Sequence, residues 1–128
     1  MNYILDTCAF IWLCRKNASL SSRARDIIND PVNVLHLSDV SVWEIVLKHS
    51  AGRLDLPDSP RLWIPSRSAH FRLVRLPIKD SALYRSGELP RVHPDPYDRL
   101  LAAQTIEEGM TILSPDTPIS DLGAPRVW

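Results

Sequence analysis

The chain has 128 residues, of which 45% are hydrophobic and 23% are charged, as is typical of one globular domain with a sizeable core. Lys and Arg total 15, as do Asp and Glu, so the zero net charge excludes a surface coated in basic residues for non-specific nucleic-acid binding. Apolar runs are too short for a membrane span, and the N-terminal residues lack the basic region of a signal peptide. We therefore expect a cytoplasmic protein without membrane contacts.

Apolar runs bounded by Gly, Pro and polar residues predict strands that alternate with helices. The predicted strands are Asn2–Leu5, Val34–Leu37, Phe71–Leu76 and Met110–Leu113, with a short edge strand at Ala124–Trp128. The predicted helices are Cys8–Cys14, Arg23–Ile28, Val40–Ser50, one from Pro60 that Pro65 shortens or shifts, Ser81–Ser86 and Pro96–Glu108. This alternation predicts an α/β fold, a three-layer α/β/α sandwich with a central, mainly parallel sheet, in one domain spanning residues 1–128.

Polar residues at the helix starts predict how these helices begin. Thr7 and Asp80 are candidate caps, and Asp95 fits an N-cap followed by Pro96 at the first helical position, where no N–H is needed. Asp98 then falls in the first turn, ahead of a nearly all-apolar run that predicts a buried helix. A charge at the mouth of a buried helix is costly unless it is paired or bound to a metal ion.

Four acidic residues are predicted to meet at one edge of the sheet. Asp6 and Asp116 each follow a strand, Asp98 opens a helix, and Glu44 stands among apolar residues of its own helix. In open α/β sheets, ligands bind outside the carboxyl ends of the strands. We therefore expect the four side chains to converge there, with Glu44 facing inward.

A cluster of carboxylates predicts a metal site. Two carboxylates ~4 Å apart repel by roughly 4 kcal/mol at an effective dielectric of about 20. Several such pairs would threaten a domain whose total stability is ~5–15 kcal/mol. A divalent cation removes this repulsion, and oxygen ligands without a His or Cys set favour Mg²⁺ or Mn²⁺ over Zn²⁺. Such ions support metal-assisted phosphodiester hydrolysis.

Other metal-ligating or nucleophilic residue types do not form a site in the sequence. Cys8 and Cys14 lie on different sides of one predicted helix, so they cannot form a disulfide without unwinding it, and we interpret them as reduced thiols. His36, inside a predicted strand, is expected to face solvent or to have a hydrogen-bond partner. An aspartate-nucleophile phosphatase also begins with Asp after a first strand, but it needs a second acid where Cys8 stands. A catalytically silent adaptor that binds RNA or a protein also stays open, although the four acids argue against it.

Four segments in order carry a resemblance to the PIN-domain ribonucleases, and more narrowly to the VapC-type toxins of bacterial toxin–antitoxin pairs. The segments are Asp6-Thr7, Ser41-Val42-Trp43-Glu44-Ile45, His93-Pro94-Asp95-Pro96-Tyr97-Asp98-Arg99-Leu100-Leu101-Ala102-Ala103-Gln104, and Ile112-Leu113-Ser114-Pro115-Asp116. The third segment is the most specific of the four.

The resemblance implies a Mg²⁺- or Mn²⁺-dependent endoribonuclease, a homodimer, and a cognate antitoxin that blocks the active-site groove. It implies acidic metal-site roles for Asp6, Glu44, Asp98 and Asp116. Asp95 matches a family position that we interpret mainly as a helix cap. Pro115 departs from the family pattern and restricts Ser114 toward extended conformations, which bears on the reach of Asp116.

With zero net charge, RNA binding requires a local basic rim beside the acids. The candidate rim residues are Arg23, Arg25, Arg72, Arg75 and Arg99. Thr7 and Ser114 are candidate hydrogen-bond partners of a phosphate or of a metal-bound water. Apolar surface near Trp12 or Trp63 is a candidate partner contact, and burial of both side chains in the core is an equally open alternative.

Overall fold

A computed structural model describes all 128 residues of the chain. The strands are β1 (Asn2–Leu5), β2 (Val34–Ser38), β3 (Val74–Leu76), β4 (Thr111–Leu113) and β5 (Arg126–Val127). The helices are α1 (Thr7–Arg15), α2 (Ser22–Asn29), α3 (Asp39–Ser50), α4 (Pro60–His70), α5 (Asp80–Glu88), α6 (Pro96–Glu107) and α7 (Pro118–Asp121). None of the helices combines the length and the apolar character that a membrane span requires.

The strands form one sheet in the order β3-β2-β1-β4-β5, and every neighbouring pair is parallel. Successive side chains of β1 enter two different hydrophobic cores. Leu5 packs in one core with Phe10 of α1 and Trp63 of α4, whereas Ile4 packs in the other with Leu101 of α6. Helices therefore cover both faces of the sheet, and the predicted α/β/α sandwich is confirmed.

The sheet order sets where a ligand can bind. β1 lies in the middle, and the chain moves outward from it to β2 and β3 before it crosses back to β4. A crevice opens at such a reversal, outside the carboxyl ends of the strands. The backbone N–H of Asp6 donates to the carbonyl of Leu113 over 3.1 Å, which joins the ends of β1 and β4 beside this crevice.

Trp63 belongs to the core and is 7% exposed, which confirms the alternative that its side chain is buried. It packs edge-on against Phe10, with ring centroids 5.6 Å apart. This buried packing also explains why α4 continues through Pro65 to His70, where the sequence predicted a shortened or shifted helix. Burial of Trp63 and Ile64 outweighs the single hydrogen bond that Pro65 cannot donate.

The strand predicted at Phe71–Leu76 is shorter in the structure. Only Val74–Leu76 pairs with β2, because the chain before it forms a turn in which Arg72 has a φ of 55°. The backbone N–H of Leu73 donates to the carbonyl of Ser68, so this segment closes the end of α4. The alternating apolar and basic residues therefore cover a turn followed by a short strand.

Two helices also differ from the prediction. α5 begins at Asp80, with Lys79 at the cap position, and runs through Gly87 to Glu88 instead of stopping at Ser86. The short helix α7 was not predicted. His36 is buried and its Nε2 lies 3.2 Å from the Asn2 side-chain oxygen, so the expectation that it has a hydrogen-bond partner is confirmed, although Nδ1 has none.

Gln104 connects the carboxyl ends of two strands from its position on α6. Its fully buried side chain accepts a hydrogen bond from the Ser38 hydroxyl and donates one to the carbonyl of Pro77 over 3.0 Å. Ser38 in turn caps α3 by accepting from the backbone N–H of Val40. Buried polar groups that lose their partners are destabilising, so this network depends on the amide.

We expect Gln104→Met to reduce the free energy of unfolding by ~1–3 kcal/mol, because the O–H of Ser38 loses its acceptor and the Pro77 carbonyl loses its donor. Urea unfolding measures the change. The matched control is Arg85→Met, which removes an exposed ion pair with Glu107 and should cost at most about 1 kcal/mol. Equal losses in the two variants would contradict a structural role for the amide.

Candidate metal centre

The structure brings the predicted acids to the carboxyl edge of the sheet. Asp6 follows β1 and is 4% exposed, Asp116 follows β4, and Asp98 lies in the first turn of α6. Glu44 reaches the same region from α3 and is 6% exposed, which confirms that it faces inward. Parallel strands and the helices that follow them place these side chains together although they are far apart in sequence.

Asp6 is the most deeply buried acid of the cluster. Its Oδ1 accepts a hydrogen bond of 2.7 Å from the backbone N–H of Ala9, so Asp6 is the cap of α1 and the prediction of Thr7 as cap is wrong. Burial raises the pKa of Asp6 to about 7. Hydrogen bonds from Ser114 and Ala9 oppose this shift, and the charges of Asp98 and Glu44 add to it. Its ionised form therefore needs a positive charge nearby.

His93 lies between two of the acids, and the sequence analysis did not place it there. Its Nε2 is 2.8 Å from Oδ2 of Asp98 and 3.4 Å from Oδ2 of Asp116. One donor atom from each of these three residues lies within 4.8 Å of the other two. A histidine therefore lies among the acids, where the sequence predicted carboxylates alone.

The members of this group shift one another's pKa values. Burial raises the pKa of Asp98 to about 6, the hydrogen bond with His93 lowers it, and the neighbouring Asp116 raises it further. The pKa of His93 is raised, chiefly by its hydrogen bond to Asp98. Without a metal ion, the imidazole is the group nearest to these carboxylates that can carry a positive charge.

Local backbone structure orients the acids around His93. Oδ1 of Asp95 accepts from the backbone N–H groups of Tyr97 and Asp98 over 2.8 and 3.2 Å, so its predicted role as a helix cap is confirmed. The Ser114 hydroxyl accepts from the backbone N–H of Asp116 over 3.0 Å and closes a turn around Pro115. Asp116 therefore still reaches the group despite the proline.

Both oxygens of Glu44 are already paired within the protein. Thr7 donates to Oε1 over 2.6 Å, and Lys48 forms an ion pair with Oε2. This contact raises the pKa of Lys48, and the charges of Asp95 and Asp98 act on it in the same direction. Lys48, which the sequence analysis missed, therefore holds positive charge at the edge of the cluster. The i, i+4 spacing from Glu44 was the available signal.

Arg99 has a structural role that differs from its predicted place in a basic rim. Its guanidinium donates to the carbonyls of Ser86, Leu89, Pro90 and His93 over 2.8–3.2 Å. These bonds fasten the loop between α5 and α6, which carries His93. The donors of Arg99 are therefore directed at the backbone rather than at a ligand.

The donor set fits a divalent metal ion. Carboxylate oxygens of Asp98 and Asp116 lie within 4.8 Å of each other, close enough to bind one ion. Asp6 adds a buried carboxylate whose negative charge a cation would balance. Hard divalent cations bind such oxygen-rich groups. The expectation that acids gather into a possible metal site at this edge is confirmed.

Residues 3–125 match the family model described as the PIN domain. No curated protein sequence matches the chain.

Several solved structures share the fold. A structure of VapBC2 from Rickettsia felis bound to a promoter DNA fragment matches with 15% identity and a TM-score of 0.75, covering 100% of this chain and 99% of that chain. VapBC-1 from nontypeable Haemophilus influenzae matches with 14% identity and a TM-score of 0.71, covering 99% and 97%. VapBC-5 from Mycobacterium tuberculosis, described as a member of a family of toxin–antitoxin systems, matches with 16% identity and a TM-score of 0.61, covering 98% and 95%.

Because Asp6 is buried, we expect EDTA-treated protein to lose stability as the pH rises from 4 to 7. Its folded-state pKa of about 7 lies above its ordinary value of 3.8, so ionisation opposes folding, and this contribution to stability falls as the pH rises from 4 to 7. The difference corresponds to roughly 4 kcal/mol at most. Asp6→Asn keeps the cap acceptor, so we expect it to be more stable than wild type at pH 8 and similar at pH 4.

Urea unfolding across this pH range measures the effect. Asp55→Asn, at an exposed position, is the matched control and should follow wild type throughout. An advantage of Asp6→Asn that does not grow with pH would show that the carboxyl is not held in an unfavourable environment.

Proposed function

The chain belongs to the PIN domain family, and on this premise we propose that it is the toxin of a toxin–antitoxin pair, a metal-dependent endoribonuclease that hydrolyses phosphodiester bonds in RNA. The observation that carries the proposal is the convergence of Asp98 and Asp116 beside the buried Asp6 at the carboxyl edge of the sheet. The VapBC structures support the toxin assignment, because the likeness extends over nearly the full length of both chains. We treat residues 1–128 as a single domain.

We assign the metal as Mg²⁺ or Mn²⁺, held by Asp6, Asp98 and Asp116. When bound, the ion supplies positive charge to the phosphate and lowers the pKa of a coordinated water. Glu44 would act at greater distance, through water, because Thr7 and Lys48 already occupy its two oxygens. Its role would be to orient the attacking water and accept its proton.

No side-chain nucleophile is part of this mechanism. Burial raises the pKa of Cys8 and of Cys14 to about 12, so both thiols stay protonated at neutral pH and are poor nucleophiles. Cys8 also occupies the position at which an aspartate-nucleophile phosphatase would carry its second acid. Hydrolysis by an activated water is therefore favoured over the phosphatase alternative.

We propose that Lys48 contributes to RNA binding at the edge of the acids. Its ammonium lies 5.8 Å from the ring centroid of Tyr97, which packs edge-on against Trp43. Trp43 is 54% exposed, so an aromatic face and a positive charge lie together beside the cluster. Aromatic side chains and cations bind single-stranded nucleic acid by stacking and by phosphate contacts.

We further propose a cognate antitoxin protein and a homodimer as partners. The compared structures are described as VapBC assemblies, and one of them is described as bound to promoter DNA. Large apolar side chains of this chain remain exposed, among them Leu62 at 61% and Tyr84 at 70%. Exposed apolar surface of this kind is typical of protein contacts.

Metal binding should stabilise the fold. We expect millimolar Mg²⁺ or Mn²⁺ to raise the melting temperature of EDTA-treated protein, because an ion that binds only the folded state stabilises it by mass action. Asp98→Asn should fold and lose most of the response, while Asp55→Asn should keep it. Differential scanning fluorimetry measures both, and an unchanged wild-type melting temperature would contradict a shared metal site.

The decisive assay is cleavage of a labelled, structured RNA pool by purified protein without antitoxin. We expect cleavage with Mg²⁺ or Mn²⁺, none with EDTA, and a loss of about 100-fold or more in Asp6→Ala, the scale of losing one charge-stabilising group. Asp55→Ala is the control and should stay active. Expression without antitoxin should arrest growth, and Asp6→Ala should relieve the arrest.

Two outcomes would overturn parts of this proposal. Cleavage that survives both EDTA and Asp6→Ala would exclude the metal mechanism. Intact metal binding without cleavage of any RNA in the pool would favour the catalytically silent adaptor.

A further inference from the structure

His93 stands out because its imidazole points into the acidic group instead of toward solvent. Its side chain is 18% exposed, and Nε2 is the atom nearest to both Asp98 and Asp116. A nitrogen donor thus lies among carboxylate oxygens, all within 4.8 Å of one another. The imidazole therefore lies within reach of two acids that come from separate elements.

The loop that carries His93 is held in place by the protein itself. Arg99 donates to the carbonyl of His93 over 3.2 Å and to three other carbonyls of the same region. Pro94 restricts the backbone directly after His93, and Asp95 then starts α6 as its cap. The imidazole is therefore presented from a fixed backbone, as a ligand must be for its site to be preorganised.

We propose that His93 is a nitrogen ligand of the metal site, together with Asp98 and Asp116, and that it makes the site prefer Mn²⁺ over Mg²⁺. This inference rests on the metal site of the proposed function and goes beyond its acidic residues. Mg²⁺ binds oxygen ligands and retains its waters. Mn²⁺ is a transition-metal ion and coordinates imidazole nitrogen more readily than Mg²⁺ does. A site made of carboxylates alone has no such reason to discriminate.

The first test is direct detection of the nitrogen ligand on Mn²⁺ in protein without RNA. Pulsed electron paramagnetic resonance of the wild-type Mn²⁺ complex should show coupling to a directly coordinated imidazole nitrogen, and labelling of the histidines with ¹⁵N should change it. The coupling should vanish in His93→Gln and persist in His70→Gln, an exposed matched control. Bound Mn²⁺ without nitrogen coupling in wild type would overturn the proposal whether or not the variant folds.

The second test is metal preference. Titration of the free Mn²⁺ signal gives the Mn²⁺ affinity, and competition with Mg²⁺ gives the ratio of the two affinities. In His93→Gln we expect the Mn²⁺ affinity to fall by at least about tenfold, while the Mg²⁺ affinity changes much less. Loss of a residue that only hydrogen-bonds to a metal ligand already costs about this much affinity. An equal loss for both ions would show that His93 only supports the fold of the site.

These experiments separate the inference from the nuclease proposal. Nitrogen coupling in a protein that cleaves no RNA would leave the role of His93 intact and overturn only the nuclease activity. RNA cleavage by a site without nitrogen coupling would overturn only the role of His93. Asp98→Asn identifies the site, because it should abolish Mn²⁺ binding at this position.

Discussion

The hydrogen bond between the backbone N–H of Asp6 and the carbonyl of Leu113 fixes the centre of the candidate site. It continues the pairing of β1 with β4 to the last residue of each strand, so the segments that follow the strands diverge from one point. Asp6 starts α1 there, and Ser114 leads to Asp116 on the other side. Convergence of the acids therefore depends on the parallel pairing of the strands.

Gathering carboxylates at this point is unfavourable, and the surrounding residues compensate for it one acid at a time. Lys48 and Thr7 pair with Glu44, while His93 contacts Asp98. Asp6, the most buried of the acids, has hydrogen bonds but no adjacent cation, and burial raises its pKa. The protein can therefore hold the cluster without a metal ion. Repulsion between the acids that remains in the folded protein would be relieved by a bound divalent ion, which would then stabilise the fold.

Much of the fold follows from local sequence, and the exceptions have physical causes. Apolar periodicity and capping residues predicted the buried strands and the start of α6 at Asp95 and Pro96, because those signals act within a few residues. The continuation of α4 past Pro65 could not be predicted in this way. It depends on Trp63 packing against Phe10, a contact between distant parts of the chain. The helix continues because burial of these side chains outweighs the unfavourable helix propensity of Pro65.

The sequence by itself determined which acids lie at strand ends and helix starts, since Asp6, Asp98 and Asp116 occupy positions defined by the elements beside them. Only the tertiary structure decided their partners. His93 reaches the acids because Arg99 fastens a loop whose path no local pattern encodes. The nitrogen of His93 lies among these acids for the same reason: side chains meet across the crevice through the packing of the sheet and helices, not through spacing along the chain.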